Sequence, residues 1–282
     1  MKTAVTIMAL ILVAGCSGDG GKGNGSSVLN ENASVNGGAP LANTSVGEAN
    51  PAKQVSAMKI ERKDSALDFD YEWPGEAVGI APLNGWLKGH AEDQYKQAYA
   101  AAKEGEKLAK EGDYPFRQYS YAQSWTVVAN SSAVLVLGGA GYSYTGGAHG
   151  MPFTASLIWD RKAEKRVAIK DVLDMEKFSA AATTAFCKEL DAQRAKKRGE
   201  DAARMAKESL AEFSQCPDIT EQEIIPVSDG GKVLDSIHII IGPYVAGPYA
   251  EGNYEIALPL SKAMLGSVKP AYKGWFTADR AF

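Results

Sequence analysis

The sequence predicts an α+β fold in which helices pack against an antiparallel sheet. Segments with alternating apolar residues occur in blocks, and segments with apolar residues at three- and four-residue steps occur in separate blocks. The body after residue 55 has about 225 residues, which is enough for a large hydrophobic core. The chain of 282 residues is 45% hydrophobic and 23% charged, as is typical of globular proteins.

The first residues predict export. A basic start is followed by an apolar run over residues 4–14. The end of this run and the two residues after it read Val13-Ala14-Gly15-Cys16. This arrangement is typical of a secretory signal. Its last four residues resemble a bacterial lipobox, whose Cys becomes the lipidated first residue of the mature chain. We therefore expect a lipoprotein signal peptide over residues 1–15 and lipid attachment at Cys16. The alternative is an ordinary signal peptide with an incidental Cys.

Residues 16–55 are expected to form a lipidated, flexible tether. Residues 17–55 contain no aromatic side chain, and about half of them are Gly, Asn or Ser. Such a segment buries too little apolar surface to offset its ordering entropy. We expect a lipid-anchored protein of the cell envelope. In a Gram-negative host, Ser17 resembles the sorting pattern of the outer membrane, and the body would then face the periplasm.

The first part of the body is predicted to be extended over residues 57–72, because Leu67, Phe69 and Tyr71 alternate with polar residues. A helix is predicted over residues 84–111, with Asn84 as its N-cap and Gly112 as its C-terminal stop. Further strands are predicted at 119–127, 134–137, 153–159 and 167–169, with a charged hairpin loop at 160–166.

The second part of the body is predicted to contain an αα-hairpin near residues 175–214. Its helices, Met175 to Lys197 and Glu200 to Phe213, are separated by Gly199. Strands are predicted at 236–241 and 254–258, followed by one or two helical turns within 259–265.

Cys187 and Cys216 are the two cysteines that remain after Cys16. An exported protein is oxidised, and the hairpin would bring the two positions level, so we expect a disulfide between them. Two buried free thiols are the alternative.

Two segments carry the most specific motifs. One reads Tyr-Ser-Tyr-Thr-Gly-Gly-Ala-His-Gly over residues 142–150, and the other reads Gly-Pro-Tyr-Val-Ala-Gly-Pro-Tyr-Ala-Glu-Gly over residues 242–252. Together they resemble an extracytoplasmic domain family of unknown function. Its members include the outer part of the lysozyme-sensing anti-sigma factor RsiV and the non-catalytic part of the peptidoglycan deacetylase PdaC. The resemblance implies a PdaC/RsiV-like half at 56–150 and an RsiV-like half at 151–282, in one body.

The resemblance implies a recognition module for lysozyme or another cell-wall component. Neither sigma-factor control nor deacetylase chemistry is expected, because residues 1–15 are a predicted signal and no second catalytic domain is predicted. The candidate binding residues lie in the two motif loops: Tyr144, Thr145, Gly146, Gly147, His149, Tyr244, Pro248, Tyr249 and Glu251. The glycines are also explained as turn residues, Tyr249 as a core side chain and Glu251 as a turn cap. His149 is open to three roles: a hydrogen bonder within its loop, a ligand contact or a metal ligand.

The sequence predicts neither an enzyme nor a nucleic-acid-binding protein. The chain has three His and a net charge of −4, so neither a zinc site nor a nucleic-acid surface is expected. No Ser/His/Asp order rises above chance, and no Gly-x-Ser-x-Gly elbow is present. We therefore expect no catalytic residues, no metal and no cofactor. Two alternatives stay open: a hydrolase of wall glycan or peptide, and a purely structural envelope lipoprotein.

Overall fold

The structure is a computed structural model that describes residues 55–199, 211–229 and 233–278. The predicted signal peptide and all but the last residue of the predicted tether lie outside these residues. The predicted helix from Glu200 to Phe213 also lies outside them, apart from its last three residues, which form a 3₁₀ turn at Ala211–Phe213.

A six-stranded sheet forms the first layer of the fold. Its strands lie side by side in chain order: β1 (Met58–Lys63), β2 (Leu67–Trp73), β3 (Tyr119–Asn130), β4 (Val134–Tyr144), β5 (Met151–Asp160) and β6 (Lys165–Val167). All neighbours are antiparallel except β2 and β3, which are parallel. Parallel neighbours need a long crossover. Helices α1 (Gly75–Val78) and α2 (Ala81–Glu111) supply it.

A three-stranded antiparallel sheet forms the second layer. It contains β7 (Glu223–Val227), β8 (Ser236–Ile241) and β9 (Tyr254–Pro259). The remaining helices are α3 (Ile169–Val172), α4 (Met175–Arg198) and α5 (Lys262–Leu265), with 3₁₀ turns at Ile219–Glu221, Tyr249–Glu251 and Pro270–Trp275. The predicted α+β class is therefore confirmed. Strand β7 was not predicted. It has only five residues, and one of them is Pro226, a residue type that is unfavourable in a central strand.

Several boundaries differ from the prediction. The segment at 57–72 is a hairpin, because the Asp64 carboxylate accepts hydrogen bonds from the backbone N–H groups of Ala66 and Leu67 and so closes a turn. The loop predicted at 160–166 is shorter, since β6 begins at Lys165. Ile169, which was predicted to end that strand, begins α3 instead.

The prediction that Asn84 caps the long helix is wrong. Helix α2 begins at Ala81, and Pro82 lies in its first turn, where a missing N–H costs nothing. Asn84 is therefore inside the helix, and its Oδ1 accepts a hydrogen bond from Trp73 Nε1 at 3.0 Å. The helix ends as predicted at Gly112, whose N–H donates to the Leu108 carbonyl at 2.9 Å.

The two faces of the six-stranded sheet belong to two hydrophobic clusters. One face packs against α2. The side chains in this cluster come from α2 and from strands β2, β3, β4 and β5: Leu67, Phe69, Tyr71, Trp73, Leu83, Leu87, Ala91, Trp125, Leu135, Leu137 and Leu157. The other face packs with β7–β9 and α4, where the central residues are Val134, Val136, Ile158, Phe178, Phe186, Leu190, Ile225, Ile239 and Ile256. The first sheet thus lies between α2 and the second sheet.

Strand β4 runs past its predicted end at Leu137 because glycines leave room for aromatic rings beside it. A Cβ atom on Gly139 would lie 2.9 Å from the Trp125 ring, and one on Gly141 would lie 2.2 Å from the Phe153 ring. Real Cβ atoms do not approach carbon this closely, so the two rings require glycine at these positions.

The predicted disulfide is confirmed between Cys187 in α4 and Cys216, whose Cα atoms are 5.5 Å apart. In the chain-entropy model, a loop of this length contributes about 3–4 kcal/mol to stability. Among the described residues, no helix is both long and apolar enough to cross a membrane.

Substitution of Gly141 tests the packing of β4. We expect Gly141→Ala to lower the free energy of unfolding by about 1–3 kcal/mol, because the added methyl group overpacks the Phe153 ring. Urea unfolding followed by tryptophan fluorescence measures the change. Gly85→Ala is the matched control, since no atom lies within 4 Å of its added Cβ and α2 gains helix propensity. Equal stability of the two variants would contradict this account of β4.

Candidate functional site

The two motif loops meet in space although about a hundred residues separate them. The first connects β4 to β5, and the second connects β8 to β9. The His149 ring stacks on the Tyr249 ring, with centroids 3.8 Å apart. Tyr244 Oη lies 3.2 Å from His149 Nε2, and the Tyr249 hydroxyl donates to the Gly150 carbonyl at 2.8 Å. One histidine of the first loop therefore joins two tyrosines of the second.

The first loop is held by tyrosines on β4. The Gly150 N–H donates to Tyr142 Oη at 3.0 Å, and Tyr144 Oη donates to the Gly147 carbonyl at 3.1 Å. A Cβ atom on Gly150 would lie 2.4 Å from the Tyr142 ring, so this close approach requires glycine. Gly146 has φ +85°, the left-handed region in which glycine is favoured. These two glycines therefore shape the loop.

The second loop is anchored by a buried ion pair. Arg198, the last residue of α4, donates to both carboxylate oxygens of Glu251, from Nε at 2.9 Å and from a terminal nitrogen at 3.1 Å. The two side chains are only 3% and 10% exposed. The hydroxyl of Tyr254 also donates to Glu251. A Cβ atom on Gly247 would lie 2.0 Å from Glu251 Oε2, so the carboxylate occupies the space that a side chain would need.

The environment of Glu251 moves two pKa values in opposite directions. Burial favours the neutral carboxyl, but the hydrogen bonds from Arg198 and Tyr254 outweigh it and hold the pKa of Glu251 below its ordinary value. Burial, together with the hydrogen bond to Glu251, raises the pKa of Tyr254 to about 12. Glu251 is therefore a charged anchor at neutral pH.

Helix α4 supplies two further cations beneath the same loop. Arg194 is 4% exposed, and its Nε donates to the Ala246 carbonyl at 3.0 Å. Lys197 donates to the backbone carbonyls of Glu251 and Asn253, both at 2.6 Å, and its ammonium lies 3.9 Å from the centre of the Tyr254 ring. The loop between β8 and β9 is thus fixed along its length by the end of one helix.

An exposed face remains on the outside of the joined loops. Tyr244 is 51% exposed and lies beside the His149 and Tyr249 rings, and the next residue, Val245, is 44% exposed. We call His149, Tyr244, Val245 and Tyr249 the tyrosine–histidine surface. Tyr244 has φ +68°, a conformation that costs a non-glycine residue of order 1–3 kcal/mol. Burial raises the pKa of Tyr249, so its hydroxyl is a neutral hydrogen-bonding group at physiological pH.

The predicted site residues therefore separate into three groups. His149, Tyr244 and Tyr249 come together on the tyrosine–histidine surface. Thr145 and Gly147 are exposed in the first loop, whereas Tyr144, Gly146 and Pro248 are partly buried. Glu251 points inward to Arg198 and does not contribute its carboxylate to the surface.

Arg194 and Arg198 were not among the predicted site residues. A signal for them exists in the spacing of α4. The buried residues Phe178, Ala182, Phe186 and Leu190 recur every four residues, and the same four-residue step continues to both arginines. A cation on the apolar stripe of a helix indicates a buried partner. The identity of that partner, Glu251, has no signal in the sequence.

Metal binding finds no ligand set here. Among the described residues, no three His, Cys, Asp or Glu side chains lie close enough together to hold a metal ion. The nitrogens of His149 lie beside Tyr244 Oη and the Gly150 carbonyl, a setting of hydrogen bonds within the loops.

These features define a two-sheet α+β module with a loop-borne aromatic surface. Residues 54–152 match the family model described as Deacetylase PdaC. A DUF3298 family protein of Bacteroides fragilis is similar in structure, with a TM-score of 0.50 at 17% identity, covering 78% of this chain and 96% of that one. A DUF3298 family protein of Pseudomonas aeruginosa gives a TM-score of 0.45 at 16% identity, with coverages of 77% and 95%. No curated protein matches the chain. The predicted resemblance to this family is confirmed.

The Arg198–Glu251 pair generates a stability prediction. We expect Glu251→Gln to lower the free energy of unfolding at pH 7 by about 3 kcal/mol, because it leaves a buried guanidinium without its counter-charge. Urea unfolding measures the loss. Glu104→Gln is the matched control, since that side chain is 60% exposed on α2 and its removal costs little.

The pH dependence of the same difference has a defined sign. The pKa of Glu251 is lower in the folded state, so its stabilisation is complete above its ordinary pKa of 4.5 and is lost as pH falls through the folded value. The stability gap between the native protein and Glu251→Gln should therefore be constant above about pH 5.5 and shrink below about pH 4.5. A gap that stays constant down to the acid transition would contradict the ion-pair assignment.

Proposed function

We propose that this protein is a non-enzymatic, lipid-anchored recognition module of the cell envelope. Its tyrosine–histidine surface binds a protein partner at the cell wall, and a c-type lysozyme is the first candidate. The observation that carries the proposal is the union of the two motif loops into one exposed aromatic face, with Tyr244 held at positive φ. Strained, exposed residues concentrate at functional sites.

The chemistry of the surface supports binding to a protein. Tyrosine provides a large apolar area with a hydroxyl at its edge, and it is enriched among residues that dominate interface energies. The His149 ring stacks on both tyrosine rings, and the two tyrosine rings contact each other at a tilt, so all three lose little conformational entropy on binding. The net charge of −4 also favours encounter with a basic protein such as lysozyme.

The engagement of Glu251 bears on the hydrolase alternative. A hydrolase of this type would need a free carboxylate or nucleophile within reach of a base such as His149. Both oxygens of Glu251 are occupied by Arg198, and Tyr254 adds a further hydrogen bond. The carboxylate of the second motif loop, Glu251, therefore has a structural role, which favours recognition over hydrolysis.

Binding to lysozyme is tested by biolayer interferometry of the full-length protein across a salt series. We expect saturable binding that persists at about 0.3 M salt, where exposed charges are well screened. Tyr244→Ala should raise Kd at least about tenfold, because truncating a central interface tyrosine typically costs more than 1 kcal/mol. Tyr114→Ala is the matched control, since Tyr114 is 55% exposed and is not part of the tyrosine–histidine surface.

Two outcomes would contradict this assignment. Binding that disappears with salt would reduce the interaction to the attraction between an acidic and a basic protein. Equal affinities of the Tyr244→Ala and Tyr114→Ala variants would remove the tyrosine–histidine surface from any interaction that persists.

The membrane anchor has its own test at Cys16. If the lipobox is processed, Cys16→Ser should move the protein from the membrane fraction to the soluble fraction of expressing bacteria, because the acyl chains that hold it are absent. Incorporation of radiolabelled palmitate should be lost in the same variant. Cys187→Ser serves as the control, since it also replaces a cysteine, here one of the disulfide pair, but leaves the lipobox intact. Membrane association and labelling that persist in Cys16→Ser would refute the anchor.

A further inference from the structure

A second concave feature lies beside the tyrosine–histidine surface. A cleft of about 580 Å³ opens between the first sheet, on its face opposite α2, and the end of the second sheet. Its floor consists of small side chains on β3, β4 and β5, including Ser124, Ala140 and Thr154. This volume lies in the range of about 300–1,000 Å³ that is usual for small-ligand sites.

The walls of the cleft carry more negative than positive charge. The lining residues include four carboxylates, Asp70, Glu72, Glu251 and Glu255, and one ammonium, Lys59. A cleft lined by one sign of charge concentrates ligands of the opposite sign. The cleft therefore favours a cationic ligand over an anionic one.

Two of these carboxylates are already neutralised by neighbours. Glu251 is paired with Arg198, and Asp70 lies 2.7 Å from Lys59. Glu255 keeps one oxygen available, because only its Oε1 meets His238, at 3.0 Å. Glu72 makes no ion pair or hydrogen bond among the described residues. Glu72 on β2 of the first sheet and Glu255 on β9 of the second sheet are thus the charges that a ligand would meet in the cleft.

An unpaired acceptor also lines the cleft. The Asn253 side-chain oxygen is buried and has no hydrogen-bond partner among the described residues. Leaving a buried polar atom unpaired costs of order 1–3 kcal/mol. This oxygen is closed to solvent, so an N–H donor reaches it only after the Asn253 side chain turns towards the cleft.

The apolar part of the lining indicates the rest of the ligand. Ala122, Ala140 and Ile240 provide a surface for methylene groups between the two charged walls. The described residues contain no cluster suited to a metal ion, which removes the simplest alternative cation. A long amine fits both features, because its stem packs on apolar surface while its head meets carboxylates.

We infer that this cleft binds the alkylammonium side chain of a lysine residue carried by a peptide, with Glu72 and Glu255 as counter-charges. The cleft adjoins the tyrosine–histidine surface through Tyr142, which lines the cleft and holds Gly150 of the first loop. The inference does not rest on the proposed function, since the cleft is made from other side chains.

The test uses the full-length protein with labelled isoleucine methyl groups. The NMR signal of Ile240 reports on the cleft, and that of Ile219, buried elsewhere in the core, serves as the internal reference. The probe is acetyl-Gly-Lys-Gly-amide, compared with the same peptide carrying norleucine, which has the stem without the charge. We expect a saturable shift of Ile240 with the lysine peptide and at least tenfold weaker binding of the norleucine peptide.

Charge-neutral variants assign the binding to the two walls. The double variant Glu72→Gln and Glu255→Gln should weaken binding of the lysine peptide at least fivefold. The double variant Glu104→Gln and Glu111→Gln, which removes the same charge from the exposed face of α2, should leave it unchanged. Equal responses to both peptides, or equal effects of the two double variants, would overturn the inference.

The cleft and the tyrosine–histidine surface can fail independently. Tyr244→Ala should leave the response of Ile240 to the lysine peptide unchanged, whatever its effect on lysozyme binding. An unchanged Ile240 signal up to about 10 mM lysine peptide, a concentration that saturates even a millimolar site, would overturn the inference and leave the proposed function standing.

Discussion

A buried ion pair between a helix end and a loop determines the geometry of the candidate site. Arg198 at the end of α4 holds Glu251 with two parallel hydrogen bonds. A bidentate pair fixes orientation as well as distance, because the guanidinium and the carboxylate are both planar. Glu251 lies two residues after Tyr249 in the same 3₁₀ turn, so fixing the carboxylate also places the Tyr249 ring against His149. The exposed surface depends on a contact that is itself hidden.

The pair contributes more to specificity of conformation than to net stability. Burying two charges is costly, and apolar residues of similar volume are often as stable. Here the loop must also keep Tyr244 at φ +68°, and the Tyr244 N–H donates to the Gly247 carbonyl at 2.9 Å. Strain of this kind persists only where the surroundings over-determine it. Arg194 and Lys197 add the further contacts that do so.

The sequence predicts the parts of this fold that depend on local chemistry. Helix α4 begins after Asp174, and α2 ends at Gly112, because caps and periodicity act within a few residues. The predicted start at Asn84 was wrong because Pro82, which is equally favourable in the first turn of a helix, lies two residues earlier in the chain. The parallel pairing of β2 with β3 was not predicted, since it depends on how the whole of α2 packs. Pairing choices of this kind are decided by tertiary burial.

The site shows the same division more sharply. The two motif loops could be recognised from their residues, but not the stacking of His149 on Tyr249, which joins distant segments. The signal that could have helped was Arg198 on the apolar stripe of α4, because a buried cation requires an acceptor. A buried Arg198 predicts that the side chain of some acidic residue points into the core, and the sequence contains several acidic residues that could do so. Only the fold selects Glu251.

This selection affects how the motif itself should be interpreted. The segment from Tyr249 to Glu251 contains one side chain that faces the exposed surface and one that anchors the loop, so its residues do not share a single role. The match to the PdaC family model ends at residue 152. It includes His149 but neither tyrosine of the second loop. The tyrosine–histidine surface therefore spans the matched segment and the region beyond it, and recognition has to be established from the joined surface itself.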